Sequence, residues 1–119
     1  MGDISVIIEG VAHESTAGTL CSTVHGAGRV MGRMDAKGKV DRKTGEVKRV
    51  GKVTQAMMRE WVSRESVELR GAGVDESPHC YKRLPEVLAE HADSIRILHT
   101  LKPLGVAMAG EGEFDPYKD

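Results

Sequence analysis

Cys21-Ser22-Thr23-Val24-His25-Gly26-Ala27-Gly28-Arg29-Val30-Met31-Gly32-Arg33 is the stretch on which the reading of this chain turns. Thr19 to Val24 is a short apolar and hydroxyl-rich run that suits a strand. Residues 28–36 suit a short helix, with Val30, Met31 and Met34 on one stripe and Arg29 and Arg33, four apart, on another face. Between the two lie His25 and the small residues Gly26, Ala27 and Gly28. Glycines let backbone come close to a ligand, free N–H groups at a helix start attract anions, and arginine grips phosphate with paired hydrogen bonds. A strand ending in histidine, a small-residue turn and a basic helix start therefore make a phosphate site. Gly-Ala-Gly after a strand also reads as a tight turn, and a lone histidine there as a packing or capping residue. The local pattern leaves both readings open.

Upstream, Ile4 to Glu9 is β-branched and apolar and reads as a strand closed by Gly10. The run 19–24 is expected to lie antiparallel to it. Residues 11–18, around His13 and Glu14, read as a loop, with His13 exposed. Downstream, residues 37–52 read as a basic hairpin or loop turning at Thr44-Gly45. Residues 29–52 carry nine basic residues against Asp35, Asp41 and Glu46, a net +6 in a chain of net −1, so the remainder is near −7. Such segregation suits contact with RNA phosphates and equally suits a solvated hairpin.

Thr54 is a good N-cap for the clearest helix, with Val53, Met57 and Trp61 on one stripe and Met58 and Val62 beside it, a core pattern without chemistry. Ser66 to Leu69 alternates as a short strand, and Arg70-Gly71-Ala72-Gly73 reads as a turn. Asp75 and Glu76 could bind a cation or accept hydrogen bonds from a nucleotide. His79 and Cys80 are adjacent with no second pair, a poor metal site. Pro85 opens a helix ending near Ser94. Residues 95–101 suit a strand or a continued helix, Lys102-Pro103 breaks it, and Leu104 to Ala109 is the last strand. Residues 110–119 form a polar tail with a turn at Asp115-Pro116.

At 119 residues, with 39% hydrophobic and 29% charged residues, the chain suits one domain, 1–119, of ordinary soluble composition. Only Trp61, Tyr81, Phe114 and Tyr117 are aromatic, which argues against a base-stacking platform. Cys21 and Cys80 make neither a disulfide framework nor a CxxC pair, and a reducing cytoplasm is the natural compartment. No run approaches a membrane span of about 20 apolar residues, and the N-terminus lacks a signal-peptide pattern.

Ser22-Thr23-Val24-His25-Gly26-Ala27-Gly28-Arg29 resembles the signature of the RtcB family of RNA-splicing ligases. Ser5, in Gly2-Asp3-Ile4-Ser5, resembles the end of that family's upstream nucleotide-contacting motif. Asp75-Glu76-Ser77-Pro78 with Tyr81-Lys82 resembles a later block, and Pro103-Leu104-Gly105-Val106 resembles the closing strand. The blocks come in family order and span most of the chain. The resemblance implies that His25 attacks GTP and carries GMP through a phosphoramidate bond. It implies that Ser5, His25, Gly26, Ala27, Gly28 and Arg29 bind the nucleotide, with Arg29 facing phosphate. It implies GTP and Mn²⁺ as cofactors, with metal ligands upstream of this segment and none in this chain beyond a possible His25. The chain then looks like the C-terminal portion of such a ligase, with RNA, the rest of the ligase and archease as partners. The family's closing lysine falls at Met108 in the simplest alignment, a departure from the pattern.

The expected fold is α+β, with short, largely antiparallel strands packed with about three helices. The expected function is the nucleotide-histidine segment of an RNA ligase joining 3′-phosphate or 2′,3′-cyclic phosphate ends to 5′-hydroxyl ends. The alternative is a non-catalytic module that binds nucleotide or RNA without turnover.

Overall fold

The computed structural model describes residues 1–41 and 43–110. In chain order they form β1 (Ser5–Gly10), α1 (Glu14–Gly18), α2 (Arg33–Lys37), β2 (Gly38–Val40), β3 (Val47–Val50), α3 (Gln55–Arg64), β4 (Glu68–Arg70), two single 3₁₀ turns at Val74–Glu76 and Pro78–Cys80, α4 (Leu84–Ala89), β5 (Ile95–Leu101) and β6 (Gly105–Ala107). The class is α+β, with four short helices where about three were expected. The tail turn at Asp115-Pro116 lies outside the described residues. No helix among the described residues is long and apolar enough to cross a membrane.

The strands pair as three separate two-stranded sheets. β1 and β5 are antiparallel, from Ser5 opposite Leu101 to Gly10 opposite Ile95. β2 and β3 are an antiparallel ribbon, and β4 and β6 run parallel. Residues 95–101 are therefore strand rather than continued helix. Their alternation decides it once β1 offers a ladder of unpaired backbone groups.

Four local expectations change. Residues 19–24 form no strand, and the partner of β1 is β5. Leu20 and Cys21 both have φ near +54°, and Cys21 and Ser22 donate back to Thr16 and Thr19, so the run closes a turn. Hydroxyl and β-branched residues favour strands only where a partner exists. Residues 11–18 include α1, because His13 caps it: the Ser15 amide donates to His13 Nδ1 and the Thr16 hydroxyl to the His13 carbonyl. The helix expected over 28–36 begins only at Arg33, after Gly32. Arg29 stands instead in an antiparallel bridge with Tyr81.

α3 matches its sequence signals. The Thr54 hydroxyl accepts from the Met57 amide at 3.2 Å, and Met58 and Val62 are buried. Its Trp61 lies between two guanidiniums, Arg64 at 4.6 Å and Arg83 at 4.3 Å from the ring, with His79 edge-on. The central core is small: Ala36, Val53, Val74 and Cys80 are buried, with Met31 and Tyr81 packed against them. The radius of gyration is 17.4 Å, above the roughly 13–14 Å of a compact chain of this length. The body is elongated, and much apolar surface stays exposed along it, including Leu98, Leu101 and Leu104.

The β2–β3 ribbon grows directly from this core. Gly38 turns the chain out of α2 with φ +78°, and a side chain there would meet the Arg49 carbonyl at 2.4 Å. The Lys52 and Val53 amides donate to the carbonyls of Asp35 and Ala36, closing the ribbon's base.

Candidate functional site

A groove of about 580 Å³ opens between β1, the segment after α1 and the segment leading into α4. Its floor is apolar: Ile4, Val6 and Ile8 come from β1 and its approach, and Leu84 and Leu88 from α4. Alternation along β1 sends these side chains inward and leaves Ser5 and Ile7 exposed. Pro103 and Val106 close one wall.

Four of the residues that the sequence singled out border this floor. Ser5, His25, Gly26 and Ala27 all line the groove, although 20 residues separate Ser5 from His25 in the chain. His25 is exposed at its mouth. The amides of Gly26 and Ala27 have no hydrogen-bond acceptor among the described residues, so they are available as donors. These two amides sit beside an imidazole in an open, polar-rimmed, apolar-floored cleft, a common form of ligand site.

Tyr81 and Lys82 also line the groove. They belong to the block after Asp75-Glu76-Ser77-Pro78, and their proximity to His25 comes from the bridge between Arg29 and Tyr81. The only signal for it in the sequence was the block itself.

Gly28 and Arg29 do not line the groove. Gly28 has φ +80°, a conformation that a Cβ would strain, and turns the chain away from His25. Its carbonyl then accepts from the Lys82 amide at 2.9 Å, and the Val30 amide donates to the Cys80 carbonyl at 2.8 Å. The Arg29 guanidinium donates to the Tyr81 hydroxyl (2.7 Å), the Asp75 carbonyl (2.7 Å) and the Met31 carbonyl (3.1 Å). It also lies against the Tyr81 ring, 4.7 Å from the centroid. In this state Arg29 anchors the loop and does not reach into the groove.

Asp75 and Glu76, considered as cation or nucleotide contacts, are likewise engaged by the protein. Asp75 is buried and takes Arg33 and Lys37, each at 3.0 Å. Glu76 pairs with Arg33 and accepts from the Tyr81 hydroxyl at 2.5 Å. Burial pushes both carboxyls up, but for Asp75 the hydrogen bonds from Lys37 and Arg33, and for Glu76 those from Tyr81 and Arg33, outweigh it, so both titrate below their ordinary values. Burial first, and then the hydrogen bond to Glu76, push the Tyr81 phenol up. Residues 29, 33 and 37, every fourth position, thus converge on one acidic pair and hold the His25 loop against the 74–82 segment.

His79 hydrogen-bonds Ser77 at 2.8 Å, and Cys80 is buried with its thiol toward the Val74 carbonyl. Among the described residues no group of three or more His, Cys, Asp or Glu side chains is placed to hold a metal ion. Met108 lies outside the groove, with its amide donating to the Arg70 carbonyl.

The model of the tRNA-splicing ligase RtcB family matches residues 1–109. The chain is 31% identical over 102 residues to the RNA-splicing ligase RtcB of Escherichia coli strain K12, and to the same extent to the RNA-splicing ligase RtcB1 of E. coli strain ATCC 25922. Each match covers 86% of this chain and 21% of the relative. The chain therefore spans about a fifth of the length of the curated relatives it matches. No solved structure matches it.

Proposed function

The chain belongs to the RtcB family of tRNA-splicing ligases, and from that premise we propose that it forms the nucleotide-histidine part of an RNA ligase. The proposed reaction joins RNA 3′-phosphate or 2′,3′-cyclic phosphate ends to 5′-hydroxyl ends, with GTP as the activating nucleotide. The observation that carries the reading is the convergence of Ser5, His25, Gly26 and Ala27 on one groove.

In this reading the chemistry begins at His25. A nitrogen lone pair of the imidazole attacks the α-phosphorus of GTP. An N–P bond forms, the P–O bond to the β-phosphate breaks, and pyrophosphate leaves with the bonding pair while the ring gives up its N–H proton. The amides of Gly26 and Ala27, which have no acceptor among the described residues, donate to phosphate oxygens in this reading. Lys82 adds positive charge at the groove, and Ser5 borders it at the start of β1. The apolar floor of Ile4, Val6 and Leu88 excludes water from the base or ribose. Arg29 contributes by fixing the loop. A bound Mn²⁺ would offset phosphate charge, with His25 as its candidate ligand in this chain and the other ligands supplied by the rest of the ligase.

The test is complementation. This chain mixed with the remainder of an RtcB ligase is expected to join RNA ends bearing 2′,3′-cyclic phosphate and 5′-hydroxyl groups, and His25→Ala is expected to abolish joining. The 119-residue chain alone is expected not to ligate. Joining by the chain alone, or joining that survives His25→Ala, would refute the assignment.

A further inference from the structure

The chemistry at His25 leaves the charge of the β2–β3 ribbon unexplained. Of the nine basic residues in 29–52, Arg29, Arg33 and Lys37 are committed to the 75–81 segment. Lys48 pairs with Asp41 at 2.9 Å and Arg49 with Asp35 at 3.0 Å, both exposed pairs of small energetic worth. Lys39, Lys43 and Lys52 are exposed and form no ion pair among the described residues.

The placement of these charges is specific. Lys39 and Arg49 are direct cross-strand partners, so their side chains leave the same face of the ribbon. Like charges in that relation repel, and Asp35 offsets only the Arg49 side of the pair. The neighbouring register pair is Val40 with Val47, so the opposite face is apolar. The base is fixed to the core through Gly38 and the Lys52 and Val53 amides, and the cations are presented on a rigid support. No aromatic residue lies between positions 29 and 52. Recognition here would run through phosphates and not through base stacking.

We propose that the basic face and tip of the β2–β3 ribbon dock the phosphate backbone of single-stranded RNA, through Lys39, Lys43, Arg49 and Lys52. The proposal rests on the ligase reading for the identity of the polyanion. It adds a surface, separate from the His25 groove, that holds the strand to be joined.

The experiment is fluorescence anisotropy of a short labelled single-stranded RNA of mixed sequence, titrated with the 119-residue chain over a range of KCl concentrations. The variant Lys39→Gln/Lys43→Gln/Lys52→Gln is expected to bind at least about tenfold more weakly and to lower the salt slope by about 2, because each lost phosphate contact removes about 0.7. Replacing the same lysines by arginine is expected to preserve binding, which separates charge from misfolding. An unchanged slope in the glutamine variant, or no RNA binding by the unaltered chain, overturns the proposal. Self-association through the valine face, lost in Val40→Ser/Val47→Ser while RNA binding ignores the lysines, assigns the ribbon to a protein contact and also overturns it. Nucleotide labelling of His25 in complemented samples separates the two claims: label without ribbon-dependent RNA binding sinks the ribbon alone, and RNA binding without label sinks the ligase reading alone.

Discussion

Arg29 Nη1 donates to Tyr81 Oη at 2.7 Å across 52 positions of sequence, and the same two residues form a β-bridge through their backbones. This relationship decides where His25 sits. His25, Gly26 and Ala27, which line the groove, lie two to four residues before Arg29, and the residue after Tyr81 is Lys82, on the same groove. Tyr81 passes the constraint on to Glu76, which also holds Arg33.

Arg29→Lys keeps the charge but loses the planar fork that reaches three acceptors. It is expected to cost about 2 kcal/mol, and Tyr81→Phe about 1–2 kcal/mol. The double variant is expected to cost about 1 kcal/mol less than the sum, because both single changes break the same bond. Urea unfolding followed by Trp61 fluorescence measures all three. Strict additivity would show that the contact does not hold the loop.

Acid should loosen the same network. Asp75 and Glu76 titrate below their ordinary values, so in the native state they hold fewer protons than in the unfolded chain as pH falls. Their contribution to stability is fully present above the unfolded carboxyl values of about 4 and is lost as pH falls through the lower native values. The unfolding midpoint is expected to drop steeply below about pH 4. Asp75→Asn is expected to be less stable at neutral pH, with a shallower decline in acid. A parallel pH profile for the variant would place the acid sensitivity elsewhere.

At Gly38, substitution by alanine combines a left-handed backbone with a Cβ 2.4 Å from the Arg49 carbonyl. The cost is expected to exceed about 2 kcal/mol and to lower the thermal midpoint by more than about 5 °C. Gly45→Ala has open space around it, and strain from φ +72° is its only cost. It is expected to lose about 1 kcal/mol. Equal losses at the two positions would mean that the ribbon base is not tightly closed.

The sequence was most legible where the signals are local. Thr54 capping an apolar stripe gave α3, and the turn at Thr44-Gly45 gave the β2–β3 ribbon, whose Asp41 carboxylate accepts from the amides of Lys43 and Thr44. Resemblance brought Ser5, His25, Gly26 and Ala27 together, and one groove does hold them. What stayed hidden was long-range. Nothing near β1 identifies its partner as β5, whose register pairs lie some ninety residues on. The run 19–24 has strand-forming residues but no partner, and so becomes a turn. Arg29 reads as a phosphate ligand only while Tyr81 and Asp75, far along the chain, are out of view. Once they are placed, each of its three nitrogens already donates to protein.

The central claim is that His25 receives a nucleotidyl group, and covalent labelling tests it most directly. The chain, with the remainder of an RtcB ligase, is incubated with Mn²⁺ and α-labelled GTP, and the modified peptide is mapped by mass spectrometry. The expected result is acid-labile GMP on His25, present only when both parts are combined and absent in His25→Ala. A folded, assembled sample with no label, or label that persists in His25→Ala, would contradict the account.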